Sequence, residues 1–311
     1  MTQTEYDVSI LIPSYKPDWF AQCLDSCLAQ SVSVREIIVS DDCPTDEIKR
    51  ITDSRLSDPR VRYIRNSPSL GLAANYLQLA REAKGRWLKF FDDDDIMHPD
   101  CIARLMHHAD DSVSLVIGGC RMIKEDGRIE EKREPLHPAT NGLDYFLKTY
   151  PRVPITLFSR MLVRNDVMQE LLADNIPPRM ISLDELVGLR ACLVGDVAWE
   201  PDMVCDHRDF SGGYSRNVEP DVLIDDLAYV TNPYESAVRK QLAAPRALRG
   251  WRTVMVRKYA RGVITKFIWQ KDHSGLFTFL TKLRERFGMV LATRCAASPR
   301  LIIKFIKSCF K

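Results

Sequence analysis

Apolar residues in the first hundred positions form short β-branched runs that alternate with segments of helical spacing. Residues 7–13 are apolar on both faces, which is typical of a buried parallel strand. Apolar positions over 20–28 recur at three- and four-residue spacing and predict a helix. Further strands are predicted at 37–39, 61–64 and 87–91, with helical patterns between most of them. This alternation predicts an α/β domain with a mostly parallel central sheet.

Strands and helices continue to alternate beyond residue 110, with no internal repeat, low-complexity linker or glycine-rich phosphate loop. Residues 113–124 are predicted to form two strands, followed by a turn at 125–128. The remaining predicted elements are helices near 141–149, 165–174 and 183–193 and a strand near 197–204.

The charges divide the chain into two unequal parts. Among 311 residues there are 44 Lys+Arg and 42 Asp+Glu, but residues 239–311 hold 18 of the basic residues and only two acids, a net charge of +16. Residues 1–238 therefore carry −14. We expect one domain at 1–238 and a basic helical C-terminal region at 239–311 whose partner is an anionic surface. Without a recognised nucleic-acid module, nucleic acid is not the expected partner.

The N-terminus and the cysteines indicate an intracellular protein. The first residues lack the basic and apolar run of a signal peptide, and no apolar stretch reaches the roughly 20 residues that a membrane span needs. Nine cysteines are scattered without a CxxC pair, so we expect reduced thiols in a cytosolic protein.

Four consecutive aspartates, Asp92 to Asp95, follow the strand predicted at 87–91. Two unpaired carboxylates 4 Å apart repel by roughly 4 kcal/mol at an effective dielectric constant of about 20, so the run requires protons or a cation. Mg²⁺ or Mn²⁺ fits this requirement, since both prefer oxygen ligands. The alternative is a solvated turn in which one aspartate caps the helix that begins near Pro99.

Polar residues also follow two other predicted strands, Ser14-Tyr15 after the first and Asp41-Asp42 after the second. In a parallel sheet these strand ends line one crevice, where ligands bind. Alternatively, Asp41-Asp42 forms a local turn or helix cap, and Ser14-Tyr15 is a plain strand exit.

Four sequence blocks together resemble the family 2 glycosyltransferases, which have the GT-A fold. They lie at 8–17, 37–46, 71–75 and 91–99, in the order and spacing of the family over about the first 110 residues, and a weaker match continues to about 216. The resemblance implies a nucleotide-sugar donor and a DXD motif at Asp92-Asp93-Asp94. By the same correspondence, Pro13, Ser14, Tyr15 and Asp42 cradle the base and ribose, Asn75 flanks the base, Asp92 or Asp93 reaches the ribose, and Asp94 ligates the metal.

Residues 183–190 resemble the later acidic motif of the family and give Asp184 as the catalytic base, with Glu185 as its competitor. The alternative for Asp184 is a helix N-cap. A further block implies that His207 completes the metal shell or contacts a phosphate oxygen, and that Arg208 offsets charge on the leaving diphosphate. Both are otherwise ordinary surface residues of a loop.

The basic C-terminal region is predicted to contain amphipathic helices. Such helices suit the surface of an anionic bilayer, where each basic residue contributes roughly 1 kcal/mol, although packing on the acidic domain is an alternative. The basic face of the last predicted helix comprises Arg300, Lys304, Lys307 and Lys311.

The resemblance predicts an inverting, metal-dependent transferase that moves a sugar, expected from a UDP-sugar, to a saccharide hydroxyl in bacterial surface polysaccharide synthesis. A lipid-linked acceptor at the inner face of the cell membrane would account for the basic region, so we expect a cytoplasmic protein bound peripherally there. One alternative is a sugar nucleotidylyltransferase, but residues 13–17 supply no glycine-rich loop with an arginine. The other is a non-catalytic nucleotide-sugar binding protein of the same fold.

Overall fold

The computed structural model describes residues 5–132, 140–152, 156–210, 218–289 and 292–293. Within them the strands are β1 Glu5–Ser14, β2 Ser33–Asp41, β3 Val61–Arg65, β4 Trp87–Phe90, β5 Ile96–Met97, β6 Val113–Lys124, β7 Ile129–Lys132, β8 Met161–Arg164 and β9 Asp196–Asp209. The α-helices are α1 Phe20–Leu28, α2 Glu47–Asp53, α3 Leu72–Glu82, α4 Cys101–His107, α5 Gly142–Asp144, α6 Asn165–Leu172, α7 Leu183–Ala191, α8 Pro220–Asp225, α9 Ala228–Arg239, α10 Pro245–Gln270 and α11 His273–Phe287. A π-helical turn at Tyr145–Thr149 extends α5, and a 3₁₀ turn at Phe158–Arg160 precedes β8.

The described strands form one mixed sheet in the order β3-β2-β1-β4-β8-β6-β9-β5, and β7 pairs with β6. The pairings among β1 to β4 are parallel, and so is the pairing of β6 with β9. Strand β8 runs antiparallel to both β4 and β6. The α/β fold class is confirmed, and the neighbouring parallel strands β3, β2, β1 and β4 form the part of the sheet in which the strand ends were predicted to meet.

Hydrophobic residues cover both faces of the sheet, as the pattern of the first strand predicts. In β1, Ile10 and Ile12 pack in one core cluster with residues of α1 and α4, whereas Leu11 packs in the other with residues of α3, α6 and α7. All three side chains are fully buried. Because successive residues of a strand point to opposite faces, both layers of helices are fixed by this one strand.

Two predicted strand boundaries differ from the structure. Residues 113–124 form the single strand β6, and the second strand of that hairpin, β7, follows the turn. Strand β9 extends to Asp209 because its pairing with β6 continues through Met122–His207 and Ile123–Arg208. His207 and Arg208 therefore lie on a strand, not in the loop that the sequence pattern indicates.

Helices α10 and α11 confirm the helical character of the basic region. Trp251 of α10 is 4% exposed and stacks on Phe146 with ring centroids 4.1 Å apart, a contact worth about 0.5–1.5 kcal/mol beyond its area burial. The buried residues of α10 belong to the same core cluster as Leu11 of the sheet. The domain boundary after residue 238 stays a prediction, and the basic face at 300–311 lies outside the described residues.

Membrane-spanning character is absent from the helices that the structure describes. None of them combines the length and the apolar composition required to cross a bilayer.

Candidate functional site

The end of β1 is bonded to the aspartate run, as the predicted meeting of strand ends requires. Asp93 Oδ2 accepts the backbone N–H groups of Tyr15 at 2.7 Å and Lys16 at 2.9 Å. Burial raises the pKa of Asp93 to about 7, and the charges of Asp94 and Asp95 add to this increase. The two N–H donors act in the opposite direction and lower this pKa. The run and the exit of β1 therefore form one structural unit.

Asp95 joins the same run to β9. Its carboxylate is fully buried, with Oδ2 3.0 Å from His207 Nδ1 and Oδ1 accepting the backbone N–H of Arg208 at 3.1 Å. Burial alone would lower the pKa of His207, but the Asp95 carboxylate outweighs it and raises this pKa to about 10. In the sequence, Asp95 is marked only by its place in a run of four aspartates.

Asp92, Asp95 and His207 form a candidate cation site. One ligand atom of each lies within 4.8 Å of those of the other two. Burial, followed by the charges of Asp95 and Asp94, raises the pKa of Asp92 to about 7, so a cation at this position would relieve a real electrostatic cost. Two carboxylates suit Mn²⁺ or Mg²⁺, so the donor set fits the expected ion.

Asp94, the ligand implied by the family resemblance, is not part of this three-residue group. Burial and the charge of Asp95 raise its pKa, and its carbonyl oxygen accepts a hydrogen bond from the Arg208 guanidinium. Its role in metal binding stays a prediction.

Asp184 lies in the first turn of α7 and accepts two backbone N–H groups, from Leu157 at Oδ2 (2.7 Å) and from Glu185 at Oδ1 (2.8 Å). Burial raises the pKa of Asp184, and the charge of Asp226 adds to the increase. The hydrogen bonds from the two N–H groups lower this pKa but do not outweigh burial. A carboxylate with a raised pKa is suited to accept a proton near neutral pH. The other candidate for the catalytic base is the next residue, Glu185.

The predicted base and the aspartate run contact one short segment of the chain, Leu157 to Ser159. Burial and the charge of Asp92 raise the pKa of Tyr76, and the charge of Asp184 adds to the increase. The Tyr76 hydroxyl donates to Asp92, and the Ser159 hydroxyl lies 3.4 Å from the same carboxylate. Ser159 is two residues after Leu157, the donor to Asp184, so one short segment contacts both carboxylates.

Glu185 remains a competitor on geometric grounds. Its Oε2 accepts the Tyr150 hydroxyl at 2.8 Å. Burial and the neighbouring Asp184 charge raise the pKa of Glu185 to about 7. Only measurement of each variant separates the two carboxylates.

Asp42 and Asn75 hold the loop that leads into α3. Asp42 accepts the side chain of Asn66 at 2.7 Å and the backbone N–H groups of Leu70 at 3.1 Å and Gly71 at 2.7 Å. Asn75 donates to the Ser40 carbonyl oxygen and accepts from Asn66. Their predicted contacts with a nucleotide base stay predictions, since both side chains already have these partners.

The other residues predicted to contact the donor lie around the same strand ends. Pro13 and Ser14 are buried, whereas Tyr15 is 56% exposed, and their contacts with the donor stay predictions. The Arg208 guanidinium donates to Gln22 Oε1 at 2.6 Å and lies 4.2 Å from the centre of the Trp19 ring. These contacts brace the aspartate run, and the contact of Arg208 with a diphosphate stays a prediction.

A family model described as "Glycosyl transferase family 2" matches residues 9–172, just over half of the chain. The succinoglycan biosynthesis protein ExoO of Rhizobium meliloti is 29% identical over 124 residues, 39% of this chain and 35% of that protein. The putative colanic acid biosynthesis glycosyl transferase WcaA of Escherichia coli is 32% identical over 105 residues, 32% of this chain and 37% of that protein. The matched segments thus span about a third of the length of these relatives.

Solved structures share the architecture at low sequence identity. Staphylococcus aureus TarS in complex with UDP-GlcNAc has a TM-score of 0.61 and 15% identity, covering 97% of this chain and 79% of that one. The mannosyltransferase PcManGT of Pyrobaculum calidifontis, in complex with GDP-Man and Mn²⁺, has a TM-score of 0.55 and 14% identity, covering 98% of this chain and 84% of that one. The GT-A fold is thereby confirmed, and with the match over residues 9–172 the chain belongs to glycosyl transferase family 2.

Proposed function

We propose that the protein is an inverting glycosyltransferase that moves a sugar from a nucleotide-sugar donor to a saccharide hydroxyl. The observation that carries the proposal is a short segment that contacts both Asp184 and Asp92, one of the residues of the candidate cation site. The charges of Asp92 and Asp184 both raise the pKa of Tyr76. The segment from Leu157 to Ser159 forms hydrogen bonds with both carboxylates. We therefore propose that the base and the cation site act on the same bound donor and acceptor.

Each residue has one role in the proposed reaction. Asp184 takes the proton of the acceptor hydroxyl while that oxygen attacks the anomeric carbon from the face opposite the nucleotide, which gives inversion in one displacement. Asp92, Asp95 and His207 would hold Mn²⁺ or Mg²⁺, with Asp94 as a further predicted ligand. The bound cation would supply charge stabilisation for the departing diphosphate.

The donor and acceptor are proposed at the level of chemical class. We propose a UDP-sugar donor, with the exposed Tyr15 beside Asp93 as the side chain that contacts the base. TarS is described with UDP-GlcNAc and PcManGT with GDP-Man, so the panel of donors must include both nucleotides. ExoO and WcaA are described by polysaccharide biosynthesis, which supports a saccharide acceptor, and we propose a lipid-linked one in bacterial surface polysaccharide synthesis.

The basic C-terminal region is the proposed contact with the cytoplasmic face of an anionic membrane. Residues 239–311 carry +16, and two aromatic side chains near the turn between α10 and α11 are largely exposed, Trp269 at 76% and Phe277 at 74%. Cationic surfaces with exposed aromatic residues suit a lipid interface. Packing of α10 on the domain does not exclude this role, because these two side chains point away from the core.

Co-sedimentation with phosphatidylglycerol vesicles tests the membrane contact. We expect binding to phosphatidylglycerol but not to phosphatidylcholine, and the double variant Trp269→Ala/Phe277→Ala to bind at least about tenfold more weakly. Val254→Ala, which removes another exposed apolar side chain of α10, is the control and keeps wild-type binding. Equal sedimentation of wild type with both lipids contradicts the proposal.

A thermal-shift panel tests the enzymatic function. UDP-, GDP-, dTDP- and CMP-sugars are added with and without Mn²⁺, and one nucleotide class is expected to raise the melting temperature only with metal, because a ligand that binds the native state alone stabilises it. No response to any nucleotide contradicts the proposal. If binding is seen but no nucleotide release with any saccharide acceptor, the protein is a non-catalytic binder.

A further inference from the structure

The buried carboxylate of Asp226 follows α8 and faces the segment that leads into α7. Its Oδ1 accepts the backbone N–H groups of Ile181 and Ser182, both at 2.7 Å, and its Oδ2 accepts the Ser182 hydroxyl at 2.8 Å. Asp226 is 2% exposed. One carboxylate therefore fixes the two residues directly before Leu183, where α7 begins.

Helix α10 reaches the same carboxylate. The hydroxyl of Tyr259 lies 3.1 Å from Asp226 Oδ2 and 2.8 Å from the carbonyl oxygen of Leu223. The Tyr259 ring also packs against Tyr229 of α9, with centroids 5.6 Å apart. Asp226 thus connects the basic C-terminal region to the start of α7.

This connection ends two residues before the proposed base. Asp184 follows Ser182 by two positions, so a displacement of the anchored segment displaces the Asp184 carboxylate from its contact with Leu157. Misplacement of a catalytic group by about 1 Å costs up to about 100-fold in rate. A buried carboxylate that accepts three hydrogen bonds from the segment before α7 and contacts the Tyr259 hydroxyl of α10 is well suited to prevent such a shift.

We infer that Asp226, braced by Tyr259, is a positioning residue for Asp184, and that α10 thereby contributes to the geometry of the proposed base. The inference rests on the proposed function, in which Asp184 accepts the proton. It assigns to the C-terminal region a role in turnover that is separate from membrane contact.

The charge of Asp226 gives a readout that a purely structural anchor would not. Burial is the largest cause of the raised pKa of Asp184, and the Asp226 charge adds to it, whereas Lys132 lowers it. Removing the Asp226 charge should therefore lower the pKa of Asp184 and move the acid limb of the kcat/KM profile to lower pH. The charged or titratable groups that act on Asp184 are Glu185 of α7, Lys132 of β7, Tyr76 of α3, Tyr150 and Asp226.

The test compares Asp226→Asn and Tyr259→Phe with wild type, using nucleotide release from the donor that the thermal-shift panel identifies. We expect Asp226→Asn to lower kcat by about 10- to 100-fold, to leave the donor KM within about twofold and to shift the acid limb to lower pH. Tyr259→Phe keeps the charge, so kcat falls several-fold and the acid limb stays in place.

Asp174→Asn is the matched control. The Asp174 carboxylate bonds to Arg190, in the last turn of the same helix α7, and to Asn232 at 3.0 Å. The control removes a carboxylate from the other end of α7, so it lowers thermal stability without moving the acid limb. Wild-type kcat and an unmoved acid limb in a folded Asp226→Asn overturn the inference.

Two further results keep the outcome decisive. If Asp226→Asn does not fold, Tyr259→Phe decides, and a folded Tyr259→Phe with wild-type kcat overturns the inference. Asp184→Asn separates this failure from a failure of the proposed function. An inactive Asp184→Asn beside a fully active Asp226→Asn removes only the inference, whereas an active Asp184→Asn removes the base on which both depend.

Discussion

Substitution of Asp184 by asparagine tests the proposed base most sharply, because the change removes the proton acceptor and keeps the shape of the side chain. In the structure the two carboxylate oxygens accept the N–H groups of Leu157 and Glu185. An asparagine keeps one acceptor and turns an NH₂ group toward the other N–H. We therefore expect a stability loss of about 1–3 kcal/mol, within the range of one unsatisfied buried donor, and a folded protein.

The expected effect on turnover is far larger than the effect on stability. Loss of a general base lowers rates by about 10²- to 10⁴-fold, which corresponds to about 3–5 kcal/mol at 1.36 kcal/mol per factor of ten. The predicted donor-binding groups Asp93 and Asp42 follow strands β4 and β2 and are unchanged, so donor binding in the thermal-shift assay should match wild type. The assay is nucleotide release with a saccharide acceptor, measured at the pH optimum of the wild type.

Glu185→Gln is the matched comparison for Asp184→Asn. Glutamine still accepts the Tyr150 hydroxyl and removes the neighbouring negative charge, so kcat should fall by less than about tenfold. A folded Asp184→Asn that retains more than about a tenth of wild-type turnover would refute the assignment. Loss of turnover in Glu185→Gln alone would transfer the role of base to Glu185.

Two stability predictions follow from buried carboxylates elsewhere in the fold. Asp95→Asn should lower the free energy of unfolding by about 3–5 kcal/mol, because it breaks a buried carboxylate's bonds to the His207 ring and the Arg208 N–H, whereas Asp94→Asn should cost less than about 1 kcal/mol. Urea unfolding distinguishes the two, and equal effects would contradict the assigned roles. Glu36 accepts the Ser9 hydroxyl, the Lys84 N–H and the Arg62 guanidinium, and these donors outweigh burial and lower its pKa. Because a lowered pKa stabilises the fold above the unfolded value of about 4.3, Glu36→Gln should be less stable than wild type at pH 7, and the difference should shrink as pH falls below about 4; a difference independent of pH would contradict this.

The parallel strands and their polar ends could be predicted from the sequence because both depend on local pattern. Residues 7–13 are apolar on both faces, and that pattern needs no knowledge of the partners. Strand β8 has only four residues and runs antiparallel between two strands far from it in the sequence, so no local signal distinguishes it. The antiparallel insertion of β8 between β4 and β6 was therefore beyond prediction.

The site was predictable at the level of residue type but not of side-chain direction. Four consecutive aspartates indicate a site for a cation, yet which carboxylate meets His207 depends on the turn after β4, and the structure gives Asp95. The anchor formed by Asp226, which follows α8, and Tyr259 of α10 joins residues 33 positions apart, and neither residue carries a motif. Long-range hydrogen bonds of this kind are decided by packing, which periodicity does not report.

Titration of Mn²⁺ by electron paramagnetic resonance, with and without UDP, tests most directly whether the acidic strand ends hold a cation together with a nucleotide diphosphate. His207→Asn is the informative variant, because asparagine keeps a donor for Asp95 and removes the other ring nitrogen. We expect UDP to strengthen Mn²⁺ binding to the wild type and the variant to bind Mn²⁺ at least about tenfold more weakly. Weak Mn²⁺ binding that UDP does not change and that is equal in wild type and variant would contradict a shared site for the cation and the diphosphate.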